Sequence, residues 1–228
     1  SVFKMGINPR FTFKPLTAEV KKVLLKFLPT VFGVGVLQVL AMVNLYFASQ
    51  IKGAVSYIYL GDRLLELPLS LIAVSIGTTL LPTLSGLWSS GEKSLFASSI
   101  TKHLSLFYFL AIPSTFGLWF LGTDISGVLF RGGDFSPEEV KIVGEILKIY
   151  CLTLLAAGSL KVLNQALYAT GDTLTPAKLS AAGLVIHLIL ATILMAKWGI
   201  NGLVLSTALV SLFNLLGCVA VIQLRLVK

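Results

Sequence analysis

The chain has 228 residues, 56% of them hydrophobic and 12% charged, with a formal net charge of +8 and a mean hydropathy of +0.91. Soluble domains carry about 25% charged residues, so a water-soluble globular domain is excluded and an integral membrane protein is predicted. The positive charge does not point to nucleic acid, because the basic residues flank apolar runs, where the positive-inside rule places them.

The first residue is Ser1, not Met, and no signal-peptide layout follows. The chain therefore reads as a piece of a longer polypeptide. Residues 1–26 form a basic segment, with Lys4, Arg10, Lys14, Lys21, Lys22 and Lys26 against Glu19. That bias assigns the segment to the cytoplasm. Residues 27–228 then form a six-helix transmembrane region. The runs 27–51, 67–91, 104–123, 179–196 and 198–224 are uncharged, and 149–168 is interrupted only by Lys161. A membrane helix needs about 20 apolar residues, and these runs meet or nearly meet that. Ten-residue alternating segments, the mark of a membrane barrel, are missing. The fold class is all-α, polytopic, with six transmembrane helices.

Six crossings put the C-terminus, with Arg225 and Lys228, in the cytoplasm as well. Lys93, Lys102 and Lys178 fall in the inner connections. The loop 124–141, with Asp134, Glu138 and Glu139, is the acidic, external one. Within it, residues 131–134 read as a turn. Ser136-Pro137-Glu138-Glu139 reads as a helix start with a capping box. Thr170-Gly171-Asp172 ends the fourth span, Thr175-Pro176 opens the fifth, and Trp198 to Gly202 is a tight external turn between the last two. Cys151 and Cys218 both lie in apolar spans and read as free thiols, with no disulfide or zinc pattern. No phosphate loop, HExxH or GxSxG occurs, and His103 and His187 lie in different segments. The chain reads as a non-enzyme without a cofactor.

The second span carries the densest chemistry. Lys52, Ser56, Tyr59, Arg63, Glu66 and Ser70 are spaced four, three, four, three and four, so they share one helical face. At 1.5 Å per residue the stripe is about 27 Å long. Arg63 and Glu66 can pair, Asp62 lies beside them, and Pro68 predicts a kink. Two readings fit. The helix lines a cavity and offers a guanidinium to an anionic substrate, since the planar fork binds phosphate bidentately. Alternatively, the charges form a structural ion pair or a snorkelled cluster.

The fourth span has its own polar face, Lys161, Asn164, Gln165 and Tyr168, which fits either cavity lining or a snorkelling lysine. His187, alone in the fifth span, reads as a packing residue or a proton or ion group. Asn44 and Thr207 read as polar glue between helices, and Gly33 and Gly35 as points of close helix packing.

The residues also carry a family resemblance. The runs Gly53-Ala54-Val55-Ser56-Tyr57-Ile58-Tyr59-Leu60-Gly61-Asp62-Arg63-Leu64-Leu65-Glu66-Leu67-Pro68 and Ile76-Gly77-Thr78-Thr79-Leu80-Leu81-Pro82-Thr83-Leu84-Ser85, with Ala48-Ser49 before them, resemble the MviN/MurJ family. These are lipid II flippases of bacterial peptidoglycan synthesis, in the multidrug/oligosaccharidyl-lipid/polysaccharide exporter superfamily. Leu28-Pro29 with Gln38 is similar to the family's seventh helix, and Lys161 through Tyr168 to its tenth. The resemblance implies helices seven to twelve of fourteen, one lobe of a two-lobed transporter working by alternating access. Its partners would be a lipid-linked disaccharide pentapeptide, membrane lipid and an N-terminal lobe, and its place the bacterial inner membrane. It further implies that Arg63 faces the pyrophosphate, that Ser56, Tyr59, Asp62 and Glu66 line the same cavity, and that Lys161 matches a basic residue of the tenth helix.

Some members bind sodium at positions that correspond here to Asn44, His187, Ala191 and Thr207. This set lacks carboxylates, so the membrane potential or a proton is left as the driving force. A different exporter of the superfamily, for polysaccharide precursors or drugs, and a non-transporting scaffold lobe remain as alternatives.

Overall fold

The computed structural model describes residues 18–131 and 135–227. Every element among them is helical: α1 (Ala18–Ser49), α2 (Ala54–Leu69), a π-helical turn (Ser70–Val74), α3 (Ser75–Ser89), α4 (Lys93–Phe130), α5 (Pro137–Ala169) and α6 (Leu174–Val227). Of the basic N-terminal segment, residues 1–17 lie outside the described part. From Ala18 onward that segment is already helix, continuous with the first span.

Four described stretches are long and apolar enough to cross a membrane unaided: Val31–Ser49, Lys93–Phe130, Pro137–Ala169 and Leu174–Leu224. The last supplies two crossings. At Gly199 the backbone leaves helical geometry (φ 56°, ψ −132°), a left-handed φ that favours glycine. The two arms of α6, 174–198 and 200–227, fold back there, and Gly202 sits directly against the carbonyl of Leu194. The sixth crossing is the composite α2–π–α3. Pro68 has no N–H for the ladder, and two residues later the helix widens into the π turn.

The acidic loop is shorter than its charges suggest. α4 runs through Asp124 to Phe130 and α5 begins at Pro137. Charge marks where a helix leaves the apolar layer, not where hydrogen bonding stops, and the 38 residues of α4 span about 57 Å against a core of about 30 Å. Of the expected turn, residues 132–134 lie outside the described part.

α5 is the central post. α2, α3, α4 and α6 all pack on it, and Val143, Ile146, Leu147, Cys151, Leu154, Val162 and Leu167 are fully buried. Lipid tails are as apolar as leucine, so close approach at small residues does much of the work. Gly158 lies under the ring of Phe107, Gly144 under Thr123, and Gly61 against Ile146. Of the expected glycine pair in α1, Gly33 meets Ala177 while Gly35 faces open space, so only Gly33 serves helix packing. Cys151 and Cys218 are free thiols.

Candidate functional site

α2 begins at Gly53, whose left-handed φ of 78° turns the chain out of α1. One side of α2, Ala54, Gly61, Leu64 and Leu65, is buried, with Leu65 packed on Ile146, Tyr150 and Leu154 of α5. The opposite side is the stripe: Lys52, Ser56, Tyr59, Arg63, Glu66 and Ser70 are all exposed. The 3.6-residue period thus separates a packing face from a polar one.

Arg63 Nη1 donates to Glu66 Oε2 at 2.7 Å, with both side chains more than half exposed (59% and 58%). The guanidinium carbon stands 4.9 Å from the centroid of the Tyr59 ring, in cation–π range. An ion pair this exposed adds little to stability, so it is a poor lock between helices. A guanidinium has five N–H donors, and the Glu66 bond uses one. Tyr59, Asp62, Arg63, Leu65, Glu66 and Leu69 line a depression of about 320 Å³. Asp62 follows Gly61, the position at which α2 rests on Ile146 and the ring of the buried Tyr150 of α5.

Ser56 belongs to the same face but stands seven residues, about 10 Å, before Arg63 and outside that depression. Lys161 is exposed on α5, eleven residues or about 16 Å beyond Tyr150, and is not part of it either. Its neighbours Asn164, Gln165 and Tyr168 are half-buried, and Asn164 Oδ1 accepts from Cys218 Sγ of α6 at 3.9 Å.

The four residues of the expected ion position lie where α1 meets the fold of α6. Asn44 Nδ2 donates to Thr207 Oγ1 at 3.5 Å, the bridging role read from the sequence. His187 is fully buried, with Nδ1 3.2 Å from Ser206 Oγ. Ala191 is fully buried and packs with Ala48, Ala54 and Leu203. Asn44 Oδ1 and His187 Nε2 have no hydrogen-bond partner among the described residues. Of this set only Asn44 Oδ1 is a free carbonyl-type oxygen, the Thr207 hydroxyl is engaged by the same amide and the imidazole offers nitrogen, whereas a hard cation takes several oxygen ligands. Among the described residues no group of three His, Cys, Asp or Glu side chains can hold a metal.

Sequence reasoning missed two contacts of α2. One is Tyr150, which reads as one more apolar residue of a span; Gly61 beside Asp62 was the available sign of a close neighbour. The other is Tyr57, whose hydroxyl donates to Glu139 Oε1 at 2.8 Å. Glu139 in turn completes the expected capping box, accepting from Ser136 N at 2.8 Å while its own N–H donates to Ser136 Oγ at 3.3 Å.

Comparison with known proteins gives a consistent result. The family model described as "Lipid II flippase MurJ" matches residues 1–227. A probable lipid II flippase MurJ of Bdellovibrio bacteriovorus is 42% identical over 207 residues, 90% of this chain and 40% of that protein. The lipid II flippase MurJ of Burkholderia cenocepacia is 32% identical, over 92% of this chain and 42% of its own length. A solved lipid II flippase MurJ in an inward closed conformation superposes with a TM-score of 0.77 at 28% identity, covering 97% of this chain and 47% of that one. The chain thus spans about 40% of the length of these curated relatives. With nearly its whole length matched and an all-helical membrane architecture to go with it, the chain belongs to the MurJ family of lipid II flippases.

Proposed function

We propose that this chain is half of a flippase that carries a lipid-linked disaccharide pentapeptide, lipid II, across the bacterial inner membrane for peptidoglycan synthesis. It works by alternating access against an N-terminal lobe, the two bodies rocking around a site between them. Both termini of the chain face the cytoplasm, as its basic flanks indicate. No bond is made or broken. The protein offers a polar path to a headgroup that cannot cross the apolar layer alone.

The observation that carries this reading is the exposed Arg63, held between Glu66 and the Tyr59 ring on the one polar face of an otherwise apolar helix. Ionised groups inside a membrane are rare and face a partner or an aqueous cavity. The pyrophosphate accepts from the outward N–H groups of Arg63, two at a time. Glu66 and Tyr59 keep the guanidinium upright, and Ser56, Asp62 and Lys161 line the wider path for sugar and peptide.

The test is growth of a flippase-depleted cell on the full-length protein. Arg63→Ala fails to support growth, and Arg63→Lys supports it poorly, because a point charge cannot make the bidentate contact. Growth on Arg63→Ala at normal protein level would overturn the reading in favour of a scaffold lobe. Failure of the unsubstituted protein to replace the depleted flippase would favour another exporter of the superfamily.

A further inference from the structure

Away from the Arg63 face, a recess of about 260 Å³ lies between α4 and the second arm of α6, with α5 as its floor. Its lining is apolar: Leu152 and Leu155 of α5, Leu205, Leu209 and Leu212 of α6, and Tyr108 of α4. Leu152, Leu209 and Leu212 are exposed, so the recess opens sideways, toward lipid. On α6 the lining runs from Leu205 to Leu215, ten residues or about 15 Å. That is half of a hydrocarbon core of about 30 Å, the depth of one leaflet. At the lower end the Tyr108 hydroxyl lies 2.7 Å from Ser159 Oγ of α5 and closes the recess.

The upper end stands at the membrane surface. Asn164 of α5 meets Cys218 of α6, and Cys151 clusters with Val204. The two helices therefore run side by side in one direction, and the fold at Gly199 is level with Glu145. Trp198, exposed at that fold, is a residue type that marks the interface. Glu145 and Lys148 of α5 thus stand where headgroups are. They share the face of Leu152, seven and four residues before it. Both are half-buried, and neither takes part in an ion pair among the described residues. From the apolar layer to water the order along α5 is Leu152, Lys148, Glu145. A phospholipid with an ethanolamine head has the matching order: acyl chain, phosphate, primary ammonium.

We infer that this recess seats a phosphatidylethanolamine of the leaflet that ends at the α6 fold: one acyl chain lies along Leu152, Leu209 and Leu212 down to Tyr108, Lys148 holds the phosphate and Glu145 the ammonium. Carboxylate and primary ammonium pair through charge-assisted hydrogen bonds. The hydroxyls of a glycerol head make weaker ones, and a trimethylated ammonium has no N–H to donate. Tyr150, on which α2 rests, is two residues from Leu152 and so points to the opposite side of α5. The seated lipid is a fixed component, separate from the transported one.

The test uses the purified full-length protein and a phosphatidylethanolamine with a diazirine at the end of one acyl chain. After illumination the label is expected at the lower end of the recess, on the segments around Tyr108 and Leu212. Unlabelled phosphatidylethanolamine should displace the probe at a concentration about tenfold lower than phosphatidylglycerol or phosphatidylcholine of the same chains, the difference that a hydrogen bond to a charged group makes. Glu145→Gln raises the phosphatidylethanolamine concentration needed by about tenfold and leaves that of phosphatidylglycerol unchanged. Leu209→Trp fills the recess from its rim and abolishes the labelling. If Leu209→Trp does not fold, Glu145→Gln decides alone. Equal displacement by all three lipids, or no effect of Glu145→Gln, means that lipid tails merely wet the recess, and overturns the inference. Absence of label from these segments means that another part of the full-length protein covers the recess, and overturns it too. Displacement by undecaprenyl diphosphate ahead of phosphatidylethanolamine would make the recess part of the transport path and likewise sink the inference.

Discussion

Tyr57 of α2 donates its phenolic hydrogen to Glu139, the same carboxylate that caps the first turn of α5. One side chain thus caps the start of α5 and ties it to α2. Together with Gly61 and Leu65, which pack on Ile146 and Tyr150 further along, it fixes α2 to α5 at two levels and so sets which face of α2 is free.

The cap and the tie separate by substitution. Ser136→Ala removes the acceptor for the Glu139 N–H and costs about 1 kcal/mol of stability, the usual loss for an N-cap. Glu139→Ala leaves the backbone bond to Ser136 Oγ but removes the carboxylate's half of the capping box together with the tie, and lowers the melting temperature further. Tyr57→Phe removes the tie alone. Thermal unfolding of the three purified variants should rank Glu139→Ala as the least stable. If Tyr57→Phe melts with the unsubstituted protein, the Tyr57 bond contributes nothing.

A second prediction concerns the α4–α5 seam. A Cβ on Gly158 would run into the ring of Phe107, which is fully buried. Overfilling a packed core costs about 1–3 kcal/mol, so Gly158→Ala should destabilise the protein by that order. Phe107→Leu in the same molecule should recover part of the loss, because the shorter side chain vacates the space. Loss without any recovery would place the strain in the backbone instead.

Much of this architecture is legible in the residues because it follows from local period. The stripe from Lys52 to Ser70 has one spacing, and all six of its side chains are exposed together. The capping box is a four-residue pattern and forms as written. Asn44 and Thr207 were readable as glue, since an amide and a hydroxyl inside apolar spans need partners. What local pattern could not supply is the choice of partner across 82 residues for Tyr57 and Glu139. Nor could it supply the meeting of Gly61 and Tyr150, or the difference between Gly33, which meets Ala177, and Gly35, which meets nothing. Helix ends were misjudged for a similar reason. The bilayer reads charge, whereas the helix reads its own hydrogen bonds, and α4 continues well past Asp124.

The α1–α6 junction gives a third prediction. Its donor set suits hydrogen bonding better than a cation, so the melting temperature should not respond to sodium at constant ionic strength. Asn44→Ala should cost about 0.6 kcal/mol, the average for a polar contact between membrane helices, in sodium and in potassium alike. A sodium-specific rise that vanishes in Asn44→Ala would establish a cation site there.

The last prediction concerns orientation, and the fold makes it clean to measure. Cys151 and Cys218 are both fully buried, so neither should react with an impermeant maleimide in the folded protein, and an introduced thiol can be read without removing them. Ser136 is a poor place for the probe because its hydroxyl caps α5. Glu138, one residue before the capping carboxylate, is exposed, as is Ser90 in the connection between α3 and α4. The acidic residues Glu138 and Glu139 begin α5, whereas Lys93 and Lys102 begin α4. The positive-inside rule then puts the start of α4 in the cytoplasm and the start of α5 outside. In spheroplasts, Glu138→Cys should be labelled at once and Ser90→Cys only after the membrane is opened. The reverse pattern would invert the whole chain and place both of its ends outside. Labelling of both positions in intact spheroplasts would mean that α4 does not cross.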